Sequence, residues 1–355
     1  MSVTIREVAR ATNLSVATIS RVLNRKGNVR AETRRRVLAA AEKLHWTPHV
    51  AARSLVTSET KTVGVLLPDI YGEFFSEVIR GIDLAARRHG FHVLVSSSHS
   101  DRAETEDVLR AMRGRVDGVI VMSPTLPAAD LRENLPEGLP AVLLNCVAGK
   151  GFDSISIDNY GGAFSMVRHL SSLGHRRIAF IGGPPGNYDA AERRRGWQDG
   201  LAASWGASRG AAELDGDFGE ESGFGAGKKL LCLSPRPTAV FAANDAMAIG
   251  CLAAFQGAGV AVPDDVALAG FDDVPIARFT APPLTSVRVS IGELGARALE
   301  RVLAALRHGP GHVHHHETLS TSLVVRESCG ARRSLEAGRH PPRGKKPHSQ
   351  QEERP

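Results

Sequence analysis

The sequence predicts an all-α helix-turn-helix head followed by an α/β body of two doubly wound lobes with parallel sheets. Three observations carry this. Residues 4–44 hold short segments of helical period joined by turns, and from Thr62 onward short apolar runs alternate with helical patterns, which is how βαβ units read in sequence. The charge is also unevenly placed: residues 1–58 hold 11 Lys/Arg against 3 Asp/Glu and residues 330–355 hold 7 against 3, leaving 26 against 32 between them. Basic ends around an acidic body suit a nucleic-acid-binding head on a body that takes a different ligand.

In the head, Ile5, Val8, Ala9 and Thr12 recur at i, i+3, i+4 and i+7, and Thr4 with Glu7 forms a capping box that starts a helix. A second helix opens at Ser15, an N-cap residue, with Ile19, Val22 and Leu23 as its apolar stripe. Ala17, Ser20, Arg21 and Asn24 share its opposite face, a small, polar and basic row suited to a DNA major groove. One such face alone is matched by many solvated helices, so the surroundings decide the reading. A Gly- and Asn-rich turn (24–30) follows, then a third helix over Glu32 to Leu44 with Val37, Leu38, Ala41 and Leu44 expected inward. Thr47-Pro48 then opens a short helical pattern over His49 to Thr57, too short to be stable alone in water.

The body begins with strand Thr62 to Leu67 and helix Phe74 to His89, then strand Phe91 to Ser96, helix Glu104 to Met112, and strands Asp117 to Met122 and Ala141 to Leu144. A second series runs from helix Tyr160 to Leu173 through strand Arg177 to Ile181, helix Ala191 to Ser204, strand Thr238 to Ala242, helix Asp245 to Gln256 and strand Val266 to Ala269. A helix over Ile291 to Leu306 is expected to return to the first lobe. In open parallel sheets ligands bind beyond the carboxyl ends of the strands, so the cleft between the lobes is the expected pocket.

Other features limit the function. The chain has 355 residues, 42% of them hydrophobic, enough for two or three domains. Four cysteines stand far apart with no C-x-x-C pair, which indicates neither a zinc ribbon nor a disulfide framework. No signal-peptide core and no apolar run near ~20 residues is present, so a soluble cytoplasmic protein is expected. Gly223 to Lys229 (GFGAGKK) lacks the first Gly and the final Ser/Thr of a phosphate loop and reads as helix. His312 with His314, His315 and His316 reads as a His-rich surface loop, and no metal site is assigned. No catalytic set can be singled out.

The segments TIREVARATNLSVATISRVLN, ETRRRVLAAAEKLHWTPHVAARSL, PTAVFAANDAMAIG, VPDDVALAGFDD and LVVRES, in this order, resemble the LacI/GalR (lactose repressor) family of bacterial transcription regulators, whose body is similar to periplasmic sugar-binding proteins. The resemblance implies a head at 1–47, a hinge helix and linker at 48–59, and an effector-binding and dimerisation body at 60–329. Its lobes would be about 60–158 with 287–320 and about 159–286 with 321–329, the chain crossing near Asp158, Ser286 and Thr321. Residues 330–355, Pro-rich and basic, are expected to be a disordered tail.

It also implies site residues. Val16, Ala17 and Arg21 would read bases while Ser15, Thr18, Ser20 and Asn24 lie nearer phosphates, with Thr4, Asn28, Thr33 and Ala52 on the same surface. Leu55 would wedge into the minor groove at the centre of a palindromic site. In the cleft, Phe74, Phe75 and Phe218 would pack on sugar faces, and Arg193, Asn244, Asp272 and Asn145 would bond hydroxyls. Core packing, and a structural ion pair of Arg193 with Asp272, are the plainer readings of these residues. Three departures from the family pattern put the ligand in doubt: Gly72-Glu73 where relatives often have Asn-Pro, Asn145-Cys146 for a more polar pair, and Val289 for Gln. Tyr188, Asp189 and Trp197 lie close enough in sequence to Arg193 to compensate.

The expected function is a sequence-specific, double-stranded-DNA-binding homodimer, a repressor of sugar-metabolism genes controlled by a small sugar-like effector, with no cofactor, no membrane and no enzyme activity. A stand-alone sugar-binding protein, an enzyme acting on the cleft ligand, and an activator are the alternatives.

Overall fold

The computed structural model describes residues 3–23, 29–44, 46, 59–124, 128–136, 138–146, 151–206 and 211–331, in two compact units divided after Thr60. Asn24, Asn28, Ala52 and Leu55, the short helical pattern after Thr47-Pro48 and the basic tail beyond Ala331 lie outside the described residues.

In the head, α1 (Ile5–Thr12), α2 (Val16–Leu23) and α3 (Ala31–Lys43) pack around Val8, Ala9, Ile19, Val22, Val37 and Ala41. The Thr4 backbone N–H donates to Glu7 Oε2 at 2.6 Å, closing the capping box. Asn13, at φ 48°, turns the chain in the left-handed region between the first two helices. Ser15 Oγ then accepts the Thr18 N–H at 3.2 Å and starts α2. Arg36 Nη2 donates to the Thr12 carbonyl at 2.7 Å, fixing α3 against the end of α1. Leu38 departs from expectation: it is 50% exposed. The inward stripe of α3 runs through Val37 and Ala41, and a residue one position on is rotated by about 100° toward solvent.

The body holds two six-stranded sheets. The chain first lays down β1 (Thr62–Leu67), α4 (Glu73–Arg88), β2 (His92–Ser97), α5 (Arg102–Met112), β3 (Gly118–Met122), α6 (Ala128–Asn134), β4 (Ala141–Leu144) and β5 (Asp153–Ile157). It then forms α7 (Asn159–Ser172), β6 (Ile178–Ile181), α8 (Tyr188–Trp205), β7 (Glu213–Leu214), α9 (Glu220–Leu231), β8 (Ala239–Ala242), α10 (Asp245–Gly257), β9 (Ala267–Asp272) and β10 (Thr285–Arg288). Last come α11 (Ile291–His308), β11 (His316–Leu319) and β12 (Ser322–Val324). The first sheet has the order β11-β5-β4-β3-β1-β2 and the second β12-β10-β9-β8-β6-β7. Every pairing is parallel except that of β10 with β12. Because α11 packs on α4 and on β3, β4 and β5, the chain passes between lobes after β5, after β10 and between β11 and β12.

Strands β1, β3, β4, β6, β8 and β9 are nearly continuous apolar runs buried on both faces, as helices covering both sides of a parallel sheet require. Helix pairs in both lobes approach closely through glycine. A Cβ on Gly81 of α4 would collide with the Gly292 carbonyl of α11, and one on Gly223 of α9 with the Met247 carbonyl of α10. Gly223 and Gly227 of GFGAGKK therefore serve helix packing, and the segment lies within α9. Strand β9 runs three residues past the expected Ala269, and α8 begins at Tyr188, three before the expected Ala191. Both extensions matter, because they carry Asp272 and Asp189.

Candidate functional site

The head presents Ser15, Val16, Ala17 and Arg21 at its surface, with Thr18 and Ser20 half-buried; Thr4 is exposed and Thr33 half-buried. Ile19 and Val22 anchor the opposite side of α2 in the core. The Ser15 hydroxyl is engaged in capping, since its oxygen also lies 2.9 Å from that of Thr18. That leaves Val16, Ala17 and Arg21 as a compact apolar-and-cationic face, complementary to thymine methyls and guanine edges.

In the body, a cavity of about 480 Å³ lies at the carboxyl ends of strands from both sheets. Its floor is polar. Arg193, 3% exposed on α8, donates from Nε to Asn159 Oδ1 at 2.7 Å and from Nη1 to the Ala243 carbonyl at 2.6 Å. Its Nη2 lies 3.1 Å from Asp272 Oδ1. This is an ion pair without hydrogen-bond alignment, so Asp272 Oδ1 remains a buried acceptor lacking a donor among the described residues. Phe271 stacks beneath the guanidinium, ring centroid to Cζ 3.8 Å, and Phe218 lies 5.7 Å from it.

Asp189 also lines the cavity and accepts from Asn159 Nδ2 at 2.8 Å. Burial raises both Asp189 and Asp272 to about 6, and the neighbouring Arg193 opposes the rise in each. Asn244 caps α10, its Oδ1 accepting the Met247 N–H at 3.0 Å, and donates from Nδ2 to the Phe218 carbonyl at 2.8 Å. Phe74 and Phe75, edge to face at 5.5 Å, form part of the apolar wall with Phe218.

Six of the seven sequence-predicted cleft residues thus line one cavity: Phe74, Phe75, Arg193, Phe218, Asn244 and Asp272. Asn145 does not. It is buried, and its Oδ1 has no donor among the described residues. Cys146 beside it is buried, its sulfur accepting the Ser123 N–H at 3.3 Å, and burial raises its thiol to about 12. Trp197 is core, stacked on Phe180 at 5.1 Å and donating to the Ile178 carbonyl. Tyr188 does not line the cavity, and Val289 lies in a neighbouring depression beside Arg288 and Arg326. Glu73 reaches from α4 across the cleft, its Oε2 accepting the Ile276 N–H at 2.9 Å.

Sequence reasoning assigned no role to Asn159, which bridges Arg193 and Asp189, nor to the buried Asp245, which accepts from Ser286 Oγ at 2.6 Å and the Val274 N–H at 2.9 Å. Burial pushes the Asp245 carboxyl well above its usual range, and Asp272 adds to the rise. The cavity is also where backbone strain collects. Phe218, Asp272, His99 and Ser100 all line it with positive φ, a conformation held only where surrounding structure enforces it.

Two family models match the chain: bacterial regulatory proteins of the lacI family over residues 4–49, and a periplasmic binding protein-like domain over 167–329. Catabolite control protein A of Priestia megaterium is 35% identical over 329 residues, covering 91% of this chain and 96% of that protein. The transcriptional regulator GalR of Escherichia coli is 32% identical over 340 residues, covering 95% and 98%. Among solved structures, a lac repressor dimer bound to operator and the anti-inducer ONPF superposes with a TM-score of 0.84 at 29% identity, covering 93% of this chain and 99% of that one. A CelR–cellobiose complex gives 0.68 at 29%, covering 92% and 99%. With a helix-turn-helix head, a two-lobed body and relatives of this identity over nearly its whole length, the chain belongs to the LacI family of bacterial transcriptional regulators, DNA-binding proteins without enzymatic activity.

Proposed function

We propose that this protein is a cytoplasmic, cofactor-independent homodimeric repressor of sugar-use genes. One half of a palindromic operator is held by each head, and the occupant of the cleft is a sugar or sugar derivative. The observation that carries the ligand class is the buried Asp272 carboxylate, ion-paired with Arg193 but with no aligned donor to its Oδ1 among the described residues, in a cavity also lined by Asp189, Phe74, Phe75 and Phe218. A buried acceptor lacking a donor costs about 1–3 kcal/mol, which a ligand hydroxyl recovers, and aromatic faces cover the C–H side of a sugar ring. Relatives support the class: solved structures of this family hold ribose, cellobiose or ONPF.

On the DNA side, Val16, Ala17 and Arg21 are the base readers, with Ser15, Thr18, Ser20, Thr4 and Thr33 toward the phosphates. Asn24, Asn28, Ala52 and the minor-groove wedge Leu55 belong to the same reading and lie outside the described residues. Control follows from linkage: a ligand that prefers one lobe arrangement shifts the population of that arrangement, and with it operator affinity.

The test is binding of the full-length protein to a fragment of its own promoter region, at one stated salt concentration, with and without a panel of sugars. Release by a single sugar is the expected result. Tighter binding with a ligand would make that ligand a corepressor and overturn induction, whereas no specific complex under any condition would sink the regulator's assignment to its own promoter.

A further inference from the structure

Away from the cleft, the loop from α11 to β11 carries four histidines in the run His312, His314, His315 and His316, and it folds back on Asp153, the first residue of β5. His312 Nε2 lies 2.6 Å from Asp153 Oδ2, and His314 Nδ1 lies 3.6 Å from the same oxygen. The two rings meet edge to face with centroids 5.3 Å apart, and the three potential ligand atoms all fall within 4.8 Å of one another. The other carboxylate oxygen, Oδ1, accepts the His315 N–H at 2.9 Å, which fixes the carboxylate plane from outside. Asp153 is buried and His312 half-buried, while the His314 side chain is 40% exposed and opens the cluster to solvent.

An ion pair with His312 accounts for one imidazole on Asp153, while His314 Nδ1 stands 3.6 Å from the same oxygen, beyond hydrogen-bond distance. A single cation between two imidazole nitrogens and one carboxylate oxygen satisfies all three groups. We propose that Asp153, His312 and His314 form a site for a divalent transition metal of borderline softness, with Zn²⁺ the reference ion. Tetrahedral Zn²⁺ with bonds near 2.1 Å spreads its ligand atoms roughly 3.4 Å apart. His314 already stands at about that distance from Asp153, and His312 needs to open by roughly 0.8 Å to reach it. A hard, oxygen-preferring ion such as Mg²⁺ has no reason to choose two imidazoles. The nearby His308 donates from Nδ1 to the Ala304 carbonyl at 2.8 Å, and its ring centroid lies 5.9 Å from that of His312.

The metal would tie the α11–β11 loop to β5. These two strands pair from His316 with Ser154 to Leu319 with Ile157 and then leave the first sheet together. An ion here therefore stiffens the amino ends of these two strands, while the inter-lobe crossings depart from their carboxyl ends after Ile157 and Leu319.

The experiment uses full-length, tag-free protein stripped with a chelator and titrated calorimetrically with Zn²⁺, with Mg²⁺ as control. One Zn²⁺ per chain, no Mg²⁺ binding, a Zn²⁺-dependent rise in melting temperature, and at least a tenfold affinity loss in His314→Gln are expected. The double variant His312→Gln with His314→Gln should abolish the site, while His340→Gln with His348→Gln in the tail leaves it unchanged. His314 is surface-exposed, so its single variant stays informative where the double variant does not fold. Absence of stoichiometric binding, Zn²⁺ affinity indifferent to His314→Gln, or loss only in the tail variant would overturn the assignment.

Discussion

At the scale of the residue, the cleft is decided by which polar atoms are left without partners. Arg193 is saturated from two directions by Asn159 and the Ala243 carbonyl, so only its side toward Asp272 faces the ligand space. Replacing Asp272→Asn is expected to cost about 1.5–3 kcal/mol of effector affinity, the worth of a hydrogen bond to a charged group, while effector-free DNA binding is kept. Effector titration of operator release measures it, and unchanged effector sensitivity would remove Asp272 from the site. Asp189 and Asp272 also give a pH dependence. Each titrates near 6 in the folded chain against about 3.9 unfolded, so the folded state binds more protons between those values. Their contribution to stability is whole below about pH 4 and is lost as pH rises toward 6. Melting temperatures of the ligand-free protein across this window should fall less steeply in Asp189→Asn than in wild type; parallel curves would contradict the assigned cause.

At the scale of the element, close helix packing and a cross-cleft contact make separate predictions. Gly81→Ala places a methyl against the Gly292 carbonyl of α11, and overpacking of this kind costs about 1–3 kcal/mol, to be read from denaturant midpoints. Wild-type stability would mean that α4 and α11 separate without cost. Glu73 instead bridges the lobes through the Ile276 N–H, and Glu73→Ala should weaken effector binding severalfold, about 1 kcal/mol, while leaving the melting temperature of the ligand-free chain nearly unchanged. Elements were unevenly legible. Strands β1 and β4 are legible with their true ends, because each is an unbroken run of mostly apolar residues followed directly by a turn residue, Pro68 or Asn145. Strands β5, β7, β10, β11 and β12 were not identified, being two to five residues long and, in Asp153–Ile157, Ser-rich. Their strand character comes from a neighbour to pair with rather than from composition.

At the scale of the whole molecule, the body leaves Tyr71 76%, Ile70 53%, Leu84 50% and Leu94 38% exposed, around α4 and the edge strand β2. Leu94 on the edge strand and Leu84 on α4 offer exposed apolar surface to a partner, in line with the proposed homodimer. Leu84→Asp combined with Leu94→Asp should shift the protein from dimer to monomer in light scattering and weaken operator binding by losing the second head. A dimer that persists would place the interface elsewhere.

The sequence by itself determined the order of parts: a small helical head whose capping box, turn and apolar stripes are local, a body of alternating strands and helices, and the residue types along the cleft. These follow from periodicities and short-range hydrogen bonds that neighbours in the chain supply. Tertiary structure alone decided which polar groups meet. Asn159 comes between Arg193 and Asp189 because the chain changes lobes after β5, and Asn145 moves behind the pocket wall rather than into it. Leu38 faces outward because α3 sets Val37 and Ala41 against the other two helices, and a residue one position beyond Val37 is turned toward solvent. Asp153 reaches histidines some 160 positions away only through the β5–β11 pairing. Contacts of that separation depend on sheet order, and sheet order is set by the packing of whole lobes.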